Sequence, residues 1–120
     1  MMELEILTED ELKTCVKVDE AVINITITNE GDIEDPEYWY QMDISGLESE
    51  CSGEIPDYDR EISSYDFIIE WVVKHEYSVL KMFKEIDQIT DFAFRIIIEG
   101  NENWINLQKF NAYVSQFQDN

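Results

Sequence analysis

From Val22 to Thr28 the chain alternates without a break: Ile23, Ile25 and Ile27 are apolar, and Asn24, Thr26 and Thr28 are polar. Successive side chains of a strand point to opposite faces, so this segment has one face for a core and one for water. A sheet built on such a strand needs a cover on one side. That requirement sets the expected class as α+β: a small mixed or mainly antiparallel sheet of about four strands, with two or three helices packed on one face.

The other segments supply the remaining parts. Leu4, Ile6 and Leu7 suggest a short first strand or an apolar lead-in, and Thr8 with Glu11 forms a capping box for a helix over roughly residues 9–15. Tyr38 to Ile44 reads as a strand with Tyr38, Tyr40, Met42 and Ile44 on one face and Trp39, Gln41 and Asp43 on the other. Gly46, Gly53 and Pro56 mark residues 45–63 as a loop, with a short strand conceivable near Ile55. Ser63 or Ser64 caps a long amphipathic helix over about 65–88, with Ile68, Val72, His75, Val79, Met82 or Phe83 and Ile86 in its stripe. The alternative is a break near Glu76–Ser78, since Phe67 to Val73 alone also reads as a strand. Phe92 to Ile98 is a strand, and Glu99 to Asn103 reads as a turn. Asn106 then caps a final helix through Leu107, Phe110, Tyr113 or Val114, and Phe117.

At 120 residues and 44% hydrophobic the chain is expected to form one domain, residues 1–120, with a true core. The start, Met1-Met2-Glu3-Leu4-Glu5, lacks the basic, then apolar, pattern of a signal peptide, and no apolar run approaches ~18 residues. The expectation is a cytoplasmic protein with no membrane contact, in which Cys15 and Cys51 are reduced thiols.

No catalytic or cofactor motif is present. His75, the only histidine, lies on the apolar stripe and reads as a half-buried structural residue; a single histidine without further ligands makes no zinc site. Asp57-Tyr58-Asp59 and Glu30-Gly31-Asp32 offer oxygen ligands, but neither matches a calcium loop. The four glycines stand apart and read as turn residues rather than a phosphate loop. The expectation is therefore no enzyme activity, no metal and no cofactor.

Charge is the remaining signal. The chain has 28 acids and 8 bases, for a net −20. Twelve of the acids fall between Glu30 and Glu61, opposed only by Arg60. Solubility in a small domain needs a net charge of only about 2–8. Nucleic-acid affinity comes from lysine and arginine on phosphates, so direct binding to DNA or RNA is disfavoured and a basic protein is the natural partner. Carboxylates two apart on a strand lie ~6–7 Å from each other on one face. Such spacing lets a folded surface stand in for a phosphate backbone, with a few apolar anchors adding affinity. The candidate partner-binding residues are Glu30, Asp32, Glu34, Asp35, Glu37, Trp39, Asp43, Glu48, Glu50, Glu54, Asp57 and Asp59. Trp39 is either an exposed anchor or the second face of a strand buried on both sides; Tyr58 and Tyr65 share that ambiguity.

In size, acidity and layout, and through the acidic run with Trp39 and Tyr40 inside it, the chain resembles two groups of small bacterial or phage proteins. One group is the immunity proteins that block nuclease toxins; the other is the phage anti-CRISPR and anti-restriction proteins that mimic DNA. The resemblance implies an inhibitor that occludes the nucleic-acid site of a basic enzyme, foremost as an immunity protein and alternatively as a DNA mimic acting against host defence. It assigns no role to individual residues. An acidic adaptor or subunit domain is the third reading.

Overall fold

The computed structural model describes residues 4–45, 49–80 and 92–117. The elements in chain order are α1 (Glu9–Leu12), β1 (Val16–Asn29), β2 (Tyr38–Ser45), β3 (Ser49–Glu54), α2 (Tyr65–Leu80), β4 (Phe92–Ile98), β5 (Asn101–Asn106) and α3 (Leu107–Ser115). The strands form one sheet in the order β3-β2-β1-β4-β5, in which β1 and β4 are parallel and every other pair is antiparallel. The class is α+β with a mixed sheet, and the sheet has five strands rather than about four.

The alternation of β1 decides the layering. Ile23, Ile25 and Ile27 are buried, as are Tyr40, Met42 and Ile44 of β2 and Phe94, Ile96 and Ile98 of β4. Against this face lie Ile68, Ile69, Val72, Val73 and Leu80 of α2, and Leu107, Phe110, Tyr113 and Val114 of α3. The Phe94 and Phe110 rings meet edge to face at 5.1 Å. The opposite sheet face carries no described helix. Its outward positions on β1 and β2, Thr26, Thr28, Trp39, Gln41 and Asp43, are exposed.

Two expectations about strands need correction and one alternative is decided. Residues 4–7 are a lead-in rather than a strand, and the Leu7 amide donates to the Trp104 carbonyl at 2.8 Å beside edge strand β5. The 45–63 segment is not all loop, because Ser49–Glu54 pairs with β2 from Trp39↔Glu54 to Ile44↔Ser49. Its residues are poor strand formers, and only the ladder with β2 makes them extended. Asn101 to Asn103 belong to β5, and the turn is confined to Glu99 and Gly100. Both turn residues have positive φ, 49° and 86°, as a tight two-residue hairpin with the sheet's own twist demands.

Helices α1 and α3 are shorter than their sequence patterns. The capping box at Thr8 and Glu11 is present, but α1 has four residues and buries none of them. Ser64 Oγ accepts from the Phe67 amide at 3.4 Å at the start of α2. The alternative of a break near Glu76–Ser78 is realised as a kink at Glu76, whose φ and ψ are −116° and 21°. Met82, Phe83 and Ile86 lie outside the described residues. His75 is exposed rather than half-buried; its ring stacks on Trp71 at 4.0 Å, and Nδ1 lies 2.8 Å from the Trp71 carbonyl. Four residues after Trp71, it sits with Phe67 on the flank of the helix, a face distinct from the buried stripe of Ile68, Ile69, Val72 and Val73. Asn106 caps α3 as expected, its side chain accepting from the Lys109 amide.

The kink in α2 places a carboxylate over β2. The Tyr40 hydroxyl donates to Glu76 Oε1 at 2.6 Å. Burial, then this hydrogen bond and the Glu76 charge, raises the Tyr40 phenol above its ordinary 10.0. Burial first, then the Glu76 charge, pushes the Cys51 thiol from 9.0 up to about 12. Burial, helped by Glu70 and Asp66, takes Tyr113 from 10.0 to about 12. These groups stay neutral in the fold where the unfolded chain would ionise. Their stabilising effect is complete below the unfolded values of 9.0 and 10.0, and is lost as pH rises through about 12. Urea midpoints measured from neutral pH upward are expected to be flat with respect to these groups and then fall steadily above about pH 9. At mildly alkaline pH the native Cys51 should alkylate much more slowly than in the unfolded chain, because burial keeps its thiolate fraction far lower.

Candidate functional site

The open face of the sheet brings part of the acidic run together. Across β1, β2 and β3 the register sets up outward-facing rows: Thr28–Trp39–Glu54, Thr26–Gln41–Ser52 and Asn24–Asp43–Glu50. A broad depression of about 790 Å3 is lined here by Thr28, Glu30, Glu37, Trp39, Gln41 and Glu50, among others. Trp39 is 37% exposed, which resolves its ambiguity in favour of a surface residue. Tyr58, by contrast, is buried and packs edge to face on Tyr38 at 5.0 Å.

The segment between β1 and β2 is held closed by Asn29. Its Oδ1 accepts from the amides of Gly31 and Glu37, at 2.9 and 3.1 Å, while the Glu30 amide donates to the Glu37 carbonyl at 2.8 Å. Glu30 and Glu37 are thus pinned side by side at the end of the depression. Beyond them a turn closed by Asp32 N–H to the Asp35 carbonyl, 3.2 Å, carries Ile33 and Glu34 at its centre. Ile33 is 98% exposed. It was not among the residues singled out from the sequence. The available signal was an isolated large aliphatic residue inside an acidic, proline-containing turn, with no periodic partners to bury it.

The remaining candidates divide. Asp43 and Glu54 are exposed on the same face as Trp39, one on β2 and the other on β3. Asp32, Glu34 and Asp35 are exposed on the turn, outside the depression. Asp57 and Asp59 belong to the segment after β3, which packs on the helix side through Tyr58 and Phe67; Asp59 there accepts from the Glu61 amide and shapes its own loop. They do not line the depression. Glu48 lies outside the described residues.

Electrostatics separates this face from the rest. Each of the six bases among the described residues is engaged elsewhere. Lys13 pairs with Asp10, Arg60 with Glu99, Lys74 with Glu70, Arg95 with Glu102 and Lys109 with Glu5, while Lys17 lies over the Trp104 ring. Arg60, the one base inside the acidic run, also donates to the Ile27 carbonyl and covers Tyr38. Among the described residues no carboxylate from Glu30 to Glu61 has an ion-pair partner. Asp43 and Glu50 even stand directly opposite across two strands, an arrangement of like charges that destabilises a sheet.

Among the described residues no three His, Cys, Asp or Glu side chains are grouped to hold a metal ion, and no helix is long and apolar enough to cross a membrane. Cys15 and Cys51 are free thiols. No protein-family model matches the chain, and no curated protein or solved structure matches it significantly.

Proposed function

We propose that the protein is a stoichiometric inhibitor that binds a basic nucleic-acid-acting enzyme through the open face of its sheet and occludes the nucleic-acid site, foremost as a nuclease-toxin immunity protein. The observation that carries this reading is the uncompensated carboxylate field around an exposed tryptophan. Glu54 stands opposite Trp39, Glu30, Glu37 and Glu50 line the same depression, Asp43 faces Glu50 further along the strands, and every described base is engaged away from them. A like-charge pair on a sheet costs stability in the free protein and is relieved when a cationic surface docks. Trp39 supplies the apolar contact that a nucleic acid could not offer. The spacing of these groups follows the sheet, so the anionic pattern is preorganised rather than formed on binding.

The test is competition. A basic nuclease captured by the wild-type chain should lose its activity at a one-to-one ratio, and a nucleic-acid duplex should compete for the same surface. Simultaneous binding of protein and duplex, with no loss of nuclease activity, would rule out occlusion and leave the adaptor reading.

A further inference from the structure

We infer that edge strand β3 is a docking edge that accepts an antiparallel β-strand with cationic side chains at alternate positions; this rests on the reading above and names how the basic partner is held. β3 ends the sheet. The Ile55 amide donates to the Tyr38 carbonyl at 2.8 Å, which fixes the phase of the β2–β3 ladder. Hydrogen-bonded pairs alternate in an antiparallel ladder, so Tyr40–Gly53 and Met42–Cys51 are the next bonded pairs. The backbone N–H and C=O groups of Glu50, Ser52 and Glu54 therefore face outward from the edge, and no backbone hydrogen bond from a described residue reaches them. All three residues are exposed, with side chains on the open acidic face.

An added antiparallel strand would bond its own backbone to these three residues. The residues it places opposite them would project onto the same face, beside Glu50 and Glu54. Opposite charges in such cross-strand positions attract and like charges repel, which selects lysine or arginine at every second position. The same rule disfavours a second copy of this chain. Two-fold pairing centred on Ser52 would set Glu50 of one copy against Glu54 of the other, twice over. Unguarded edges invite pairing, and here the glutamates exclude the protein's own edge while admitting a basic one.

The experiment uses the full chain, labelled for NMR, and a synthetic peptide of alternating threonine and lysine at low salt. Two further peptides of equal charge carry backbone N-methyl groups, one at the lysines and the other at the threonines. In the inferred register the lysine N–H groups face β3 and the threonine N–H groups face away. The expected result is that lysine methylation weakens binding about tenfold or more, as loss of several hydrogen bonds requires. Threonine methylation should leave binding unchanged, and the unmethylated peptide should slow amide exchange at Glu50, Ser52 and Glu54. Equal binding by all three peptides, or loss on threonine methylation alone, overturns the inference. So does self-association of the free chain that protects the same amides. If all three peptides bind equally and Glu50→Gln with Glu54→Gln weakens them alike, the docking edge fails while the charge-based reading stands; the duplex competition above decides that reading separately.

Discussion

Gly53→Ala is expected to destabilise the fold by about 1–3 kcal/mol, the range for forcing a methyl group into a packed site. By intrinsic preference the change should help, because glycine inside a strand costs about 0.5–1 kcal/mol relative to alanine. Packing reverses the sign. Gly53 is the cross-strand partner of Tyr40, and a Cβ there would lie 2.9 Å from the Tyr40 hydroxyl and 3.0–3.1 Å from its ring. Tyr40 is 2% exposed and its hydroxyl is tied to Glu76, so the ring has little freedom to move aside. The check is a double-mutant cycle by urea denaturation. In a Tyr40→Leu background the obstructing ring atoms are gone, and Gly53→Ala should become neutral or stabilising. An equal cost in both backgrounds would place the cause in the strand backbone rather than in Tyr40.

The second large effect concerns binding. Glu37→Gln, Asp43→Asn, Glu50→Gln and Glu54→Gln together should slow association with the captured basic partner by roughly tenfold or more at low salt. The difference should close as salt approaches ~1 M, where the Debye length is only about 3 Å. Trp39→Ala should act on the other rate. As a central aromatic anchor its loss should speed dissociation by about thirtyfold, the effect of roughly 2 kcal/mol, with little change in association. Stopped-flow association across a salt series and dissociation by chase separate the two. Glu34 and Asp35, on the turn rather than on the strand face, serve as the contrast: neutralising them should affect association less than neutralising Asp43 and Glu50, which face each other on the open face. If all four acids change nothing at low salt, the open face is not the partner's target.

Much of the architecture is legible locally. The β1 alternation, the faces of β2, the span Phe92–Ile98 and the Asn106 cap each follow from side-chain period or capping chemistry within a few residues. The two misread strands failed for a common reason. Ser49–Glu54 and the first half of β5, Asn101–Asn103, are edge segments of polar and turn-forming residues, and their extended state comes from a neighbour's hydrogen bonds rather than from their own preferences. His75 was misplaced because a helical stripe read at spacings of three and four is broad, and one residue's rotation moves a side chain from core to flank.

The candidate site divides the same way. Sequence by itself determined that the acids cluster between Glu30 and Glu61 and that Trp39 sits opposite the core face of its strand, since charge count and strand parity need no neighbours. Only the tertiary structure decided which acids meet. Strand order and register bring Glu54 beside Trp39 and set Asp43 against Glu50 on the same face, the Asn29 pinch sets Glu30 next to Glu37, and the packing of Tyr58 carries Asp57 and Asp59 elsewhere. Only the fold, too, committed the bases to other carboxylates and to Trp104. A local pattern sets which way a side chain points; which surface it shares depends on contacts between segments far apart in the chain.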